Sequence, residues 1–406
     1  MENLRLAAGY LKYMKENKTK IIVSGGGTAG HVTPLLSISE EISRQNPDVI
    51  IRFVGQRADF RSRSLVEKCS AIDKSYLITT GKLRRFHGRG LVWYIMHPTI
   101  IFHNVVDAFK LLVGIVQSLI ILIKWRPAVV FIKGGFVGLP VGLAAAFLRI
   151  KIVTHDSDAV PGLTNRILSK FASVSAVSLP VKYYKKYYNL TKMVQTGVPI
   201  NQKFFEKKLS TKALKENLNI PTGSRVLCII GGSLGAVRMN NAVINILPML
   251  LKNEPELKVL WSTGEHQYND LKKAIRSLGL SSQVIIQPFF NNIDEIFRVA
   301  DLVISRAGAT TIAELAALEK ACIFIPNPVL TGGHQTKNAL VLEQNKAAAI
   351  ISEQQLEKNS DYLLKTVTNL LKSPEQQKSL ANNLSKFADS QATAKLAKII
   401  IEAAKV

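Results

Sequence analysis

A run of apolar residues that breaks into a glycine-rich turn and then a helix occurs twice in this chain. The first copy is Ile21-Ile22-Val23-Ser24-Gly25-Gly26-Gly27-Thr28-Ala29-Gly30-His31, and the second is Val226-Leu227-Cys228-Ile229-Ile230-Gly231-Gly232-Ser233-Leu234-Gly235-Ala236. Glycines let the backbone approach a ligand closely, and the free N–H groups at the start of the following helix can bind an anion. The two turns therefore predict two nucleotide-fold halves that face one cleft.

Strand-like and helix-like segments alternate outward from both turns. Such alternation predicts an α/β protein whose parallel sheets are covered by helices on both faces. The other predicted strands of the first half are residues 49–54, a segment near Tyr76, 129–132 and 152–154, and those of the second half are 226–230, 258–261, 284–287, 302–304 and 322–325. Ligands of parallel sheets bind at the carboxyl ends of strands, where both glycine turns fall.

The net charge and the cysteine content limit the possible partners and the cellular compartment. The formal net charge is +24, and residues 1–200 contribute +17 of it, with 28 Lys and Arg against 11 Asp and Glu. Such an excess suits nucleic acid, an anionic membrane or a phosphorylated substrate. The mean hydropathy of +0.14 favours a membrane surface and no nucleic acid. The three cysteines, Cys69, Cys228 and Cys322, are far apart, which indicates neither a disulfide framework nor a zinc site and fits the cytoplasm.

Two segments have the composition of membrane-contacting helices. Residues 1–20 mix apolar and basic positions without the apolar core of a signal peptide, so we expect an amphipathic extension that packs on the protein or contacts a membrane. Val105–Lys124 is more apolar, but Asp107 and Lys110 interrupt the length needed to span a bilayer. A helix packed on a sheet is the first interpretation, and an interfacial helix is the alternative.

The histidine after the first glycine turn is a candidate general base. The turn lacks the G-x-G-x-x-G spacing, and Gly55-Gln56-Arg57 supplies no acidic residue after the second strand, so a dinucleotide site is not indicated. His31 near a helix N-terminus has its imidazolium disfavoured by the helix dipole, which keeps the ring neutral. An ordinary helix-start residue is the other interpretation.

The stretch Ser305-Arg306-Ala307-Gly308-Ala309-Thr310-Thr311-Ile312-Ala313-Glu314 is the most specific in the chain. It follows a strand, so a turn of small residues again leads into a helix. Glu314, one turn inside, could accept hydrogen bonds from both hydroxyls of a ribose while the preceding N–H groups hold a diphosphate. A carboxylate that caps the helix is the alternative.

These motifs, with His334-Gln335 and Asn338-Ala339, occur in an order that resembles the MurG family, the glycosyltransferases that add N-acetylglucosamine to the lipid-linked muramoyl-pentapeptide of peptidoglycan synthesis. The resemblance runs from about Lys20 to the C-terminus. It implies a GT-B fold, in which two Rossmann-like domains face an interdomain cleft. The N-terminal domain would bind the undecaprenyl-diphosphate-linked acceptor, and the C-terminal domain would bind UDP-N-acetylglucosamine.

The resemblance also implies residue roles. His31 would be the catalytic base of an inverting transfer that needs no obligatory metal. The implied donor-binding residues are Thr28, Ala29, Gly30, Asp158, Asn201, Ser233, Phe290, Ala309, Thr310, Thr311, Glu314, His334 and Gln335. A non-catalytic UDP-sugar-binding subunit, or a lipid glycosyltransferase with another donor or acceptor such as a diacylglycerol galactosyltransferase, are the alternatives.

Six positions depart from the family pattern. The chain has His155-Asp156-Ser157-Asp158 where the family commonly has His-Glu-Gln-Asn, Phe136 in place of Tyr, Asn201 in place of Arg, and Leu234 in place of Gln. The pair Asp156 and Asp158 also reads as the Asp-x-Asp motif that other glycosyltransferases use to hold a divalent metal. We favour Asp158 as a hydrogen-bonding residue that replaces the Asn.

A basic segment followed by aromatic residues points to the membrane. It comprises Lys82, Arg84, Arg85, Phe86, Trp93 and Tyr94, and each cation near an anionic leaflet contributes about 1 kcal/mol. A solvated basic loop is the alternative. Given the lipid-linked acceptor, we expect a peripheral protein on the cytoplasmic face of the bacterial plasma membrane.

The expected organisation has five segments. They are an amphipathic extension (1–18), an acceptor-binding and membrane-facing domain (19–200), a connector (201–224), a UDP-sugar-binding domain (225–385) and a C-terminal helix (386–406) that packs back toward the N-terminal domain.

Overall fold

The computed structural model describes residues 18–26, 29–57, 59–82, 96–206, 209–232, 236–329, 331–358 and 361–405. The chain divides into two compact units. The second unit is Ile200–Ser390, and the first comprises the described residues before it together with those from Gln391 onward. Residues 1–17, most of the expected extension, lie outside the described residues.

Within its described residues, the first unit is a doubly wound parallel sheet. Its strands are β1 Thr19–Gly25, β2 Val49–Gln56, β3 Lys74–Ile78, β4 Val129–Gly134, β5 Lys151–Asp156, β6 Val174–Val177 and β7 Met193–Gln195. They lie in the order β3-β2-β1-β4-β5-β6-β7, and the pairings are parallel. Its helices are α1 Ala29–Gln45, α2 Phe60–Glu67, α3 Pro98–Trp125, α4 Gly138–Phe147 and α5 Leu163–Leu168.

The second unit repeats this plan in its described residues. Its strands are β8 Val226–Ile230, β9 Lys258–Ser262, β10 Val284–Gln287, β11 Leu302–Ser305, β12 Ala321–Phe324 and β13 Ala349–Ile350, in the parallel order β10-β9-β8-β11-β12-β13. Its helices are α6 Thr211–Asn217, α7 Val237–Asn253, α8 Glu265–Ser277, α9 Ile293–Val299, α10 Ala309–Ala317, α11 His334–Gln344, α12 Glu353–Lys358, α13 Asp361–Lys372 and α14 Pro374–Ser385. The predicted α/β class with two parallel sheets is confirmed.

Both glycine turns leave their sheets where the strand order reverses. β1 lies between β2 and β4, and β8 lies between β9 and β11. The chain crosses to one side of the first strand and then to the other, so the connecting loops diverge there and leave a crevice at the carboxyl edge. The two turns therefore occupy the position at which ligands of such sheets bind.

The strands are apolar on both faces because helices cover both faces. Ile21 and Val23 belong to one buried cluster, whereas Ile22 between them belongs to another on the opposite face. Side chains alternate across a strand, so a strand buried on both sides reads as a continuous apolar run. This is why the alternation of segments could be recognised in the sequence. Helix α1 begins at Ala29, directly after the first glycine turn, and contains Pro34.

The segment expected to be a connector, residues 201–224, belongs to the second unit. It contains α6, and it buries Phe204, Leu214 and Ile220. Lys203 Nζ lies 2.5 Å from Asp294 Oδ1 of α9. Lys212 of this segment is exposed, whereas Lys215 is buried together with these apolar positions, so the segment packs on the unit.

Helix α3 packs along one side only. Gly114 is buried on this side, and a Cβ added to it would lie 2.3 Å from Thr79 O and 3.3 Å from Pro140 Cβ. The helix backbone therefore lies close to the residue after β3 and to α4. Most of its other apolar side chains are exposed. By length and composition alone, this 28-residue helix could cross a membrane, although the apolar run Val105–Lys124 was judged too short from the sequence. Its buried side packs within the first unit.

The last helix, α15 Ala392–Ala404, returns to the first unit. Leu396, Ala397 and Ile400 are buried in the cluster that contains Ile21 and residues of α1. Gln45 Nε2 also donates a hydrogen bond to Ala394 O at 3.1 Å. The chain therefore closes the first sheet's surface with a segment that follows the whole second unit in sequence.

Replacing Ile400 by Ala tests this arrangement. The side chain is fully buried, so the loss of its contacts is expected to lower the free energy of unfolding of the first unit by about 2–5 kcal/mol. Hydrogen exchange in increasing urea, followed on peptides from α1 and α13, reports each unit separately. Lys398→Ala on the same helix, whose side chain is 73% exposed, is the matched control and should change little. Loss of protection in α13 rather than α1 would contradict the assignment.

Candidate active site

The first glycine turn places His31 in the first turn of α1. A Cβ added at Gly25 would lie 2.9 Å from Leu35 Cδ1 and 3.3 Å from Lys133 Cβ, so only glycine allows β1, β4 and α1 to approach so closely. Ala29, Gly30 and His31 are the first three residues of α1. Thr28, predicted beside them, lies outside the described residues.

The carboxyl end of β5 holds a buried carboxylate. Asp156 Oδ1 accepts a hydrogen bond from Gly162 N at 3.1 Å, and Oδ2 accepts one from the hydroxyl of Tyr188. Burial raises the pKa of Asp156 to about 6, although the Tyr188 hydrogen bond opposes the shift. Both carboxylate oxygens therefore already bind protein donors. Among the residues that the structure describes, no group of three or more His, Cys, Asp and Glu side chains could hold a metal ion.

Asp158, the predicted hydrogen-bonding residue, lies two positions beyond β5. Its side chain is half-buried, and its carbonyl oxygen accepts a hydrogen bond from Tyr184 Oη at 2.9 Å. His155, the last residue but one of β5, is fully buried, with Nε2 3.0 Å from Gly197 O. Burial and the charge of Lys133 lower the pKa of His155 well below its usual value, so this ring is neutral and structural.

Lys133, Tyr184 and Tyr188 were not predicted as site residues from the sequence. A lysine at the end of the otherwise apolar strand Val129-Val130-Phe131-Ile132-Lys133 was a visible signal. The tyrosines lie in a Lys- and Tyr-rich segment whose buried positions are four residues apart, a pattern that composition alone does not separate from an exposed loop.

In the second unit, two turns meet at the carboxyl edge. Ser305 Oγ, at the end of β11, donates a hydrogen bond to Ile230 O at 3.2 Å, directly before the second glycine turn. Gly232 in that turn has φ +84°, the left-handed region that favours glycine. Ser233 and Leu234 lie outside the described residues.

One carboxylate ties both turns together. Glu353 Oε1 lies 2.7 Å from Arg306 Nη2, in the turn before α10. Its other oxygen accepts a hydrogen bond from Arg238 Nη1 at 2.8 Å, at the start of α7. Arg306 also donates to Ile325 O at 3.0 Å. The backbones that precede both helices are thus fixed before any ligand binds.

Six of the predicted donor-binding residues, all in the second unit, lie at the start of a helix or after a strand near this edge. Ala309, Thr310 and Thr311 form the first turn of α10, with Gly308 at its N-cap, so no side chain caps the helix. Phe290 follows β10, and His334 and Gln335 begin α11. Gln335 Oε1 accepts a hydrogen bond from Asn327 N at 2.9 Å, and Asn338 Nδ2 donates to Ala307 O at 3.1 Å. The start of α11 therefore supports the turn before α10.

Glu314 sits on α10 beside a pair of opposite charges. Burial raises its pKa to about 8, while the charge of Lys203 lowers it and that of Asp294 raises it further. Asn201, at the position where the family commonly has Arg, accepts a hydrogen bond from Lys203 N at 3.0 Å and so caps the short helix that carries this lysine. The Lys203 side chain that acts on Glu314 is therefore held both by this cap and by its ion pair with Asp294.

Two family models match the chain. They are the glycosyltransferase family 28 N-terminal domain, over residues 21–177, and the glycosyltransferase family 28 C-terminal domain, over residues 226–396. The fold and these matches define a glycosyltransferase of the GT-B class.

Curated relatives identify the family within this class. The UDP-N-acetylglucosamine–N-acetylmuramyl-(pentapeptide) pyrophosphoryl-undecaprenol N-acetylglucosamine transferase of Acetivibrio thermocellus is 33% identical over 94% of this chain and 97% of the relative. The protein of the same name from Borreliella burgdorferi is 32% identical over 95% of this chain and 97% of its own length. The chain belongs to this family, the MurG family, as its motifs predicted.

Solved structures agree on the fold. The crystal structure of Acinetobacter baumannii MurG matches with a TM-score of 0.67 and 24% identity, over 95% of this chain and 99% of that one. The Neisseria meningitidis UDP-GlcNAc 2-epimerase bound to UDP-GlcNAc matches with a TM-score of 0.63 and 12% identity, over 95% and 99%. The predicted GT-B fold is confirmed.

Glu314→Gln tests the electrostatics of the donor side. The pKa of Glu314 is raised, so the stability that its protonation contributes is complete below the ordinary value of 4.5 and is lost as pH rises through about 8. The variant cannot lose a proton, so the gap between its free energy of unfolding and that of wild type should widen in favour of the variant by about 4 kcal/mol from pH 5 to pH 9. Urea unfolding across this range measures the gap, with exposed Glu343→Gln as control. A gap that does not change with pH would contradict the raised pKa.

Proposed function

We propose that this protein transfers N-acetylglucosamine from UDP-N-acetylglucosamine to undecaprenyl-diphosphate-linked N-acetylmuramoyl-pentapeptide, converting lipid I to lipid II in peptidoglycan synthesis. The observation that carries the proposal is the Ser305–Glu314 stretch at the carboxyl end of β11, hydrogen-bonded to the end of β8 beside the second glycine turn. The curated relatives, which bear the name of this activity, support the same substrates.

The second unit holds the nucleotide in this proposal. The N–H groups of Ala309, Thr310 and Thr311 face the diphosphate, where the positive end of the α10 dipole favours an anion. Glu314 accepts hydrogen bonds from the ribose hydroxyls, which favours its charged form. Phe290 offers its main chain to uracil, and Ser233, His334 and Gln335 bind the diphosphate or sugar hydroxyls. Asp158 and Asn201 also contact the donor.

The first unit supplies the base. His31, directly or through a water, takes the proton from the acceptor's sugar hydroxyl as that oxygen attacks the anomeric carbon. The bond from this carbon to the UDP oxygen breaks, and negative charge grows on the leaving diphosphate. Helix N–H groups stabilise that charge without an obligatory metal. A single displacement of this kind inverts the anomeric configuration.

His31→Ala tests the assignment of the base. General-base assistance is worth about 10² to 10⁴ in rate, so kcat should fall by that factor. Affinity for UDP-N-acetylglucosamine, measured by calorimetric titration, should stay within about twofold, because the proposed diphosphate and ribose contacts of α10 are in the second unit and are unchanged. Transfer of labelled N-acetylglucosamine to a short-chain lipid-linked muramoyl-pentapeptide, with and without chelator, gives the rate.

Full turnover by His31→Ala would remove His31 from this role. Transfer from UDP-galactose in preference to UDP-N-acetylglucosamine would favour a different lipid glycosyltransferase. Binding of the UDP-sugar without transfer by the wild type would favour a non-catalytic subunit.

We infer further that the protein docks on the anionic cytoplasmic leaflet through α3. Its exposed face carries the large apolar side chains Ile101, Phe102, Val105, Phe109, Leu112, Val113, Val116, Ile120 and Ile123. Phe102 and Phe109 are 66% and 65% exposed. A contiguous apolar surface in a chain whose first 200 residues carry a net charge of +17 suits an interface of acyl chains and anionic headgroups. Lys82 is exposed, while Arg84, Arg85, Phe86, Trp93 and Tyr94 lie outside the described residues.

The double substitution Phe102→Ser and Phe109→Ser tests this docking. Each phenylalanine contributes about 1.5–3 kcal/mol when it leaves water, so binding to phosphatidylglycerol vesicles in a sedimentation assay should weaken at least tenfold. Phe147→Ser with Phe171→Ser removes two exposed phenylalanines outside α3 and is the control. Equal loss in both variants would show that the interaction is not specific to α3.

A further inference from the structure

A lysine is buried at the carboxyl end of β4. Lys133 is 3% exposed, although it follows four apolar residues of the central strand. An ammonium group in the protein interior is costly unless opposite charges and hydrogen bonds compensate. Burial lowers its pKa to about 8, and the charges of Asp156 and Asp158 oppose that shift. At neutral pH the group is therefore a cation whose compensation comes from the loop that follows β5.

One hydrogen bond and two opposite charges at the end of β5 and in the loop after it compensate this ammonium group. Lys133 Nζ donates a hydrogen bond to Ser157 Oγ at 2.8 Å, and Asp156 and Asp158 on either side provide the opposite charges. The tyrosine hydroxyls hold the same loop from the other side, Tyr188 at the Asp156 carboxylate and Tyr184 at the Asp158 carbonyl oxygen. The positive charge of Lys133 therefore acts with both Asp156 and Asp158.

Lys133 also adjoins the turn that leads to His31. Gly25 of β1 pairs with Gly134 of β4, and the register between these strands shifts at Ser24 and Gly25. The Lys133 Cβ lies 3.3 Å from where a Cβ on Gly25 would stand. The side chain thus spans from the first glycine turn to the loop of residues 156–158.

We propose that Lys133 is a positioning residue for sugar transfer, which fixes the loop of residues 156–158 against the first glycine turn so that Asp158 meets the donor sugar. This role rests on the proposed function. Lys133 acts through Ser157, Asp156 and Asp158 and does not itself touch a substrate. Two other roles for Lys133 make different predictions. If Lys133 only filled space, its methylene groups would suffice and loss of the charge would have no effect. If it bound the substrate anion directly, the effect of removing it would not depend on Asp158.

A double-mutant cycle separates these roles. Lys133→Met replaces the chain up to Cε by one of similar length and removes the ammonium group. It should raise the KM for UDP-N-acetylglucosamine about tenfold with a smaller change in kcat. In an Asp158→Asn background the same substitution should cost about threefold or less, because one of the uncompensated carboxylates is gone. An unchanged KM in Lys133→Met, or an equal cost in both backgrounds, would overturn the proposal. Lys133→Gln, which keeps a donor for Ser157, is the second variant if Lys133→Met does not fold.

A readout without catalysis keeps this proposal distinct from the proposed function. Hydrogen exchange of the peptide spanning residues 155–162 should accelerate at least tenfold in Lys133→Met and return toward wild type in Lys133→Met with Asp158→Asn. If wild type transfers no sugar, the proposed function fails, while this exchange still tests the positioning of the loop. Lys320→Met is the matched control, because Lys320 is another buried lysine and its Nζ donates to Arg298 O and Ala300 O in the second unit. Unchanged exchange at residues 155–162 in Lys133→Met would overturn the proposal.

Discussion

The reversal of strand order beside β1 and β8 is the constraint on which the rest of the molecule depends. Parallel strands require crossover connections. Where the connections of two neighbouring strands run to opposite sides of the sheet, the loops at the carboxyl ends of these strands separate. Both glycine turns occupy these points. The N-termini of α1 and α10 then open onto the carboxyl edges of their sheets, and the residues assigned to chemistry lie within a few positions of those edges.

Buried charges hold these edges in place, although removing each charge from water costs free energy of folding. Glu353 is buried between Arg306 and Arg238, and Lys133 is buried against the loop of Asp156 and Asp158. Taking such groups out of water costs several kcal/mol per ion, which their partners must offset. Polar networks of this kind fix backbone geometry, so each edge is ordered before a substrate supplies any binding energy.

The sequence was sufficient for the features that depend on local pattern. Apolar runs located the strands, glycine turns located the switch points, and Ser305–Glu314 with His334-Gln335 led to the family. It was not sufficient where burial depends on distant residues. The apolar positions Phe204, Leu214 and Ile220 were hidden among lysines, and the partners of Lys133 come from another strand and a later loop. The unpacked face of α3 could not be distinguished from a packed one by hydropathy alone. The roles of His31, Ser233 and the other donor-binding residues stay predictions.

The configuration of the glycosidic bond in the product tests the central claim most directly. A neutral His31 that deprotonates the acceptor, with UDP leaving from the opposite side of the anomeric carbon, is a single displacement. Purified protein supplied with UDP-N-acetylglucosamine, in which the sugar is α-linked, and a short-chain lipid-linked muramoyl-pentapeptide should yield a β-linked product, as read from the anomeric proton coupling by NMR. An α-linked product would contradict the account, because it requires either a second displacement or a front-side attack in which His31 is not the base.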